Sequence, residues 1–141
     1  MIVDASVVID AVADAGPRGT AARSALAAVP AAEPLIAPGH FAFEVMSGLR
    51  AAAHRPGHPL RPADVPSALA AAESLEVVIE GTPWSDVHRA WALQGSMRYA
   101  DGLYVAAAER HATALLTADG RVGRSGASIR CELVTVVPGR V

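Results

Sequence analysis

Residues 99–121, YADGLYVAAAERHATALLTADGR, decide the fold. Ala100 to His111 predicts a helix, because alanine is the best helix former and Asp101 suits the positive end of the helix dipole. Ala114 to Leu116 then predicts a short strand, closed by a turn at Asp119-Gly120. An acid therefore opens the helix and another follows the strand. A carboxylate at the polar end of a buried apolar run is costly unless a cation meets it.

Working outward, the chain opens in the same way: the apolar run Met1 to Val3 ends at Asp4. Ser6 to Ala13 and Gly19 to Val29 predict helices split by the turn Ala15-Gly16-Pro17. Glu33 to Ala37 predicts a strand closed by Pro38-Gly39. The helix His40 to His54 follows, with Phe41, Val45, Leu49 and Ala52 on one apolar stripe. The proline-rich loop Arg55 to Pro62 leads to a helix over Ala63 to Ser74, and Leu75 to Glu80 predicts a β-branched strand. Thr82 as N-cap and Pro83 at the first helical position start a helix running to about Met97. Leu133 to Val137 is the last predicted strand. Strands alternating with helices predict a single α/β domain over residues 1–141, with a mainly parallel central sheet flanked by helices on both faces.

At 141 residues the chain has the length of one domain with a proper core. Its 52% hydrophobic content owes much to alanine, which needs little burial. No run approaches the roughly 18 apolar residues of a membrane span, and the early Asp4, Asp10 and Asp14 do not fit a secretory signal. A cytoplasmic protein with no membrane association is expected. One cysteine, Cys131, excludes an intrachain disulfide and any multi-cysteine zinc site. All 12 basic residues are arginine, so a P-loop lysine or a Schiff-base lysine is excluded. The net charge of −2 does not suggest a polyanion binder. Setting aside Asp4, Glu44, Asp101 and Asp119, however, leaves a mildly basic remainder.

Those four acids carry the functional reading. In open parallel sheets ligands bind beyond the carboxyl ends of the strands, where Asp4 and Asp119 fall. Asp101 lies at a helix start. Glu44 borders the apolar stripe of its helix, and Gly48, one turn on, leaves room there for an ion or substrate. Singly, each aspartate reads as a cap, a helix-start acid or a turn former. Together the four predict one acidic pocket suited to a hard divalent cation.

The motifs Ile2-Val3-Asp4-Ala5-Ser6, Phe43-Glu44-Val45, Tyr99-Ala100-Asp101-Gly102-Leu103-Tyr104 and Leu116-Thr117-Ala118-Asp119-Gly120-Arg121 occur in order along the chain. In this set the chain resembles the PIN-domain ribonucleases, most closely the VapC-type toxins of toxin–antitoxin pairs. The resemblance implies a metal-dependent endoribonuclease, a homodimer, and a cognate antitoxin whose tail blocks the pocket. It implies Mg²⁺, with Mn²⁺ as a substitute. Asp4, Asp101 and Asp119 would be metal ligands, and Glu44 a ligand or the residue that positions the attacking water. Ser6 and Thr117 would be hydroxyls that orient these carboxylates. Arg55, Arg98 and Arg121 are candidates for phosphate contacts on an RNA substrate.

Other constellations carry less. Pro56 and Gly57 break any helix that would pair His54 with His58 as metal ligands. Trp84, Val87 and Trp91 share a helical face expected to pack in a core or a dimer, not against bases. Phosphatase chemistry of the haloacid-dehalogenase kind wants a second Asp where Ser6 stands, and a receiver domain wants a lysine. The remaining alternative is a non-cleaving RNA- or partner-binding module of the same fold.

Overall fold

The structure, a computed structural model, describes residues 1–139; the last two residues of the expected domain lie outside them. β1 (Ile2–Val3) lies at the centre of a five-stranded sheet with order β3-β2-β1-β4-β5. Its neighbours are β2 (Ile36–Pro38) and β4 (Leu115–Thr117), and the edges are β3 (Val78–Glu80) and β5 (Leu133–Thr135). Every pairing is parallel, with Ile2 opposite both Ile36 and Leu115.

The helices are α1 (Ala5–Ala13), α2 (Pro17–Ala28), α3 (Phe41–Ala53), α4 (Val65–Glu73), α5 (Trp84–Leu93), α6 (Tyr99–Arg110) and α7 (Gly120–Arg124). Going β1 to β2 to β3 the chain steps one way along the sheet, and from β3 to β4 to β5 it steps the other. Right-handed crossovers therefore place α1 to α4 on one face and α5 to α7 on the opposite face. The order reverses between β1 and β4. That is where an open α/β sheet leaves a crevice at its carboxyl edge.

The α/β class is as expected, while several boundaries differ for local reasons. β2 starts late because Glu33 is held by the Met1 ammonium at 2.8 Å, which also donates to the Pro34 carbonyl. β3 starts late because Glu76 adopts φ 55°, a left-handed turn that interrupts the strand. Thr82 does not cap α5: its hydroxyl accepts from the Gly39 N–H, and the helix starts one turn position later, at Trp84. α5 ends at Leu93 instead of Met97, in the turn around Gly95. The predicted turn at Asp119-Gly120 continues into α7, capped by the Asp119 carboxylate on the Arg121 N–H.

Ala106, Ala107 and Ala108 of α6 belong to the core. Every residue from Asp101 to Ala108 is buried, so α6 is packed on all sides, between the sheet and α5. Small residues permit this. A Cβ on Gly102 would sit 3.2 Å from the Ala90 backbone of α5. Gly48 does similar work and does not leave room for an ion: a Cβ there would meet Ile9 Cδ1 at 2.3 Å, so it allows α3 to close on α1. The aliphatic centre is formed by Ile2, Val3, Val7, Val8, Leu115 and Leu116.

Candidate active site

Asp4 leaves β1 and caps α1, its Oδ1 accepting from the Ser6 N–H at 3.1 Å. Thr117, the last residue of β4, lies beside it and donates its hydroxyl to Asp4 Oδ2 at 2.6 Å. The same Thr117 oxygen accepts from the Asp119 N–H, so one hydroxyl fixes both acids at the strand ends. The Ser6 hydroxyl makes no hydrogen bond to either acid. It accepts from the Ala118 N–H at 3.1 Å and ties the two strand-end loops together.

α3 and α6 both start at this edge of the sheet and bring Glu44 and Asp101 in their first turns. The four acids, with Ser6, Phe43 and Arg98, line one cavity of about 270 Å³. Arg55 does not: it is exposed beyond the far end of α3. The nine helical steps from Glu44 to Ala53 carry the chain about 13 Å along the helix axis from the acid.

The electrostatics of the four acids differ. Asp101 accepts a forked pair of bonds from Arg98, both at 3.0 Å. Asp119 is held by Arg121, at 2.6 Å, and lies 3.8 Å from Arg98. The Arg121 guanidinium keeps the Asp119 carboxyl below the usual carboxylate range. Asp4 is buried without an ion pair among the described residues. Burial pushes its pKa up, and the charges of Asp101 and Glu44 push it further, against the bonds from Thr117 and Ser6.

As the side chains stand, no three His, Cys, Asp or Glu groups among the described residues are arranged to hold one ion. Arg98 and Arg121 already supply the counter-charge for two of the acids. The donor set nevertheless fits a divalent cation: all oxygens, hard, converging on one cavity, with an uncompensated carboxylate at its base.

Two residues of the site make contacts that the sequence did not show. Tyr104, buried in α6, donates its hydroxyl to Glu44 Oε2 at 2.7 Å and accepts from the Ala5 N–H at 3.4 Å. Burial, with Glu44 and Asp4 nearby, pushes its phenol far above the ordinary value, so it stays a donor. His40 stacks on Tyr104 with ring centroids 4.7 Å apart, and its Nε2 is 3.6 Å from Glu44. Neither imidazole nitrogen has a hydrogen-bond partner among the described residues. Helical spacing from Asp101 places Tyr104 one turn on, but only the three-dimensional fold shows Glu44 opposite it.

Comparison with known proteins identifies the family. The PIN domain profile matches residues 1–126. Ribonuclease VapC3 of Mycobacterium tuberculosis, in strains CDC 1551 / Oshkosh and ATCC 25618 / H37Rv alike, is 35% identical over 125 residues, or 89% of this chain and 86% of the relative. The crystal structure of Mycobacterium tuberculosis VapC20, described as a Sarcin-Ricin loop cleaving toxin, aligns with a TM-score of 0.64 at 18% identity. That alignment covers 89% of this chain and 94% of VapC20, and the likeness is one of fold.

Proposed function

Because the chain belongs to the PIN-domain family and to its VapC-type branch, we propose that it is an endoribonuclease and the toxin of a toxin–antitoxin pair. One observation carries the reading: carboxylates from four separate elements line a single cavity at the β1/β4 reversal.

Asp4, Asp101 and Asp119 would hold Mg²⁺, or Mn²⁺ in its place. The bound ion supplies water activation and charge neutralisation at the scissile phosphate. Glu44, oriented by the Tyr104 hydroxyl, positions the attacking water and accepts its proton. Thr117 holds the Asp4 carboxylate in one rotamer. Arg98 and Arg121, exposed at the cavity mouth, exchange their carboxylate partners for the phosphate oxygens of RNA. A cytoplasmic homodimer neutralised by a cognate antitoxin completes the proposal. No helix among the described residues is long and apolar enough to cross a membrane.

The test is total RNA incubated with the protein and Mg²⁺ or Mn²⁺, then with EDTA, beside the double variant Asp4→Asn, Asp101→Asn. Discrete fragments that need metal and disappear in the variant are the expected result. Intact RNA across metal and pH would replace the nuclease with a binding module of the same fold.

A further inference from the structure

His40 takes the N-cap position of α3 but does no capping: its side chain makes no bond to the N–H groups of the first turn. The imidazole lies instead against the Tyr104 ring, centroids 4.7 Å apart, with both nitrogens buried and without a hydrogen-bond partner among the described residues. A phenylalanine would fill the same place and leave no polar atom unpaired, so packing alone gives no reason for the two nitrogens. What Nε2 does face is Glu44, one turn along α3, at 3.6 Å from Oε2. That is the distance of a charge–dipole contact, not of a hydrogen bond. The same oxygen accepts the Tyr104 hydroxyl at 2.7 Å. The phenol oxygen itself accepts from the Ala5 N–H, which leaves its proton for Glu44. Glu44 lines the acidic cavity, and its Oε1 has no hydrogen-bond partner among the described residues.

We propose that His40 is a positioning residue for RNA cleavage: its Nε2–H and the Tyr104 hydroxyl both address Glu44 Oε2, so the carboxylate is anchored by one oxygen and presents the other, Oε1, to the attacking water. The inference rests on the nuclease reading and deepens it, by naming the oxygen of Glu44 that takes the proton. His40 lies outside the lining of the acidic cavity, so it acts on the reaction through Glu44. A carboxylate free to turn would spend part of its time with neither oxygen aimed at the water. Two donors on one oxygen reduce that freedom. They also make Oε2 the weaker base, which leaves the proton of the water to Oε1. The competing role is packing against Tyr104, in which the ring matters and the nitrogens do not.

Two substitutions separate nitrogen from ring. His40→Phe keeps a ring on Tyr104 and removes both nitrogens, while His40→Gln keeps an amide N–H within reach of Glu44 and gives up the ring. His40→Phe should lower kcat on the order of tenfold with KM unchanged, and should melt no lower than the parent. His40→Gln should recover most of the kcat and melt lower. Activity then follows the nitrogen while stability follows the ring, which a packing role cannot produce. Parental kcat in His40→Phe would overturn the proposal, as would a kcat that tracks the melting temperature through both variants. A second measurement needs neither variant nor RNA. Long-range proton–nitrogen NMR correlation of the parent in EDTA near neutral pH reads which imidazole nitrogen carries hydrogen, and Nε2 should. Hydrogen on Nδ1 alone removes the donor and the proposal with it. The two readings fail separately. Metal-dependent cleavage by the parent, with hydrogen on Nδ1 alone, keeps the nuclease and removes the role of His40. No cleavage by the parent, with hydrogen on Nε2, removes the nuclease and leaves the anchor on Glu44.

Discussion

The Tyr104 hydroxyl donates to Glu44 Oε2 at 2.7 Å, joining residues 60 positions apart across two helices that approach from opposite faces of the sheet. Tyr104→Phe keeps the ring packing and removes this bond. It should lower RNA cleavage on the order of tenfold. Folding should lose only about 1 kcal/mol, as for a typical hydrogen bond. Cleavage rates beside a thermal melt distinguish an orienting role from a packing one, in which both would fall together.

Mg²⁺ or Mn²⁺ at millimolar concentration should raise the melting temperature, because an ion that binds only the folded protein stabilises it. Arg98→Ala removes the guanidinium that shares Asp101 and Asp119, so it should lower metal-free stability and enlarge the metal-induced shift. Asp4→Asn with Asp101→Asn should abolish the shift. Differential scanning fluorimetry in EDTA and in metal reads all three.

Arg110 pairs with Asp86, 3% exposed, and with Glu80, which also meets His111. Arg110→Met would leave Asp86 buried without its cation and should cost about 3 kcal/mol. Since the cluster lies away from the acidic cavity, cleavage per folded molecule should not change. Urea denaturation and an activity assay at low temperature check the two halves.

Glu109 gives a pH signature. Burial raises its pKa, but the bonds from Arg89 and Arg130 outweigh this and hold it at about 2, against an ordinary 4.5. A depressed folded-state pKa contributes stability that is complete above 4.5 and lost as the pH falls towards 2. Glu109→Gln should therefore melt lower than the parent near neutral pH, and the gap should close on acidification through that window.

The sequence located the acids because their chemistry is expensive. An aspartate after a strand, or an acid beside an apolar helical stripe, needs an explanation that alanine or leucine does not. The parallel sheet followed from alternating strands and helices, though Glu76 and Thr82 each took local roles that shifted a boundary. What the sequence hid was whatever depends on pairing across the fold. Tyr104 reads as an ordinary core aromatic until Glu44 faces it. Gly48 reads as space until Ile9 fills it. Arg98 and Arg121 were visible as cations near acids, but not as the groups that now neutralise two of them. The exposure of Trp84 and Trp91 in the single chain was likewise illegible, since a hydrophobic stripe on a helix gives no sign of whether another layer covers it.

The register of Val3 opposite Leu116 pairs β1 with β4, 113 positions further along the chain. Synthesis delivers Asp4, Glu44 and Asp101 before β4, and β1 has an unpaired edge until β4 emerges and docks. Pairing so distant in sequence closes slowly and late. A chain that stops short of β4 therefore lacks Asp119 and the Thr117 hydroxyl that holds the Asp4 carboxylate, so the acidic constellation is completed only when that strand docks.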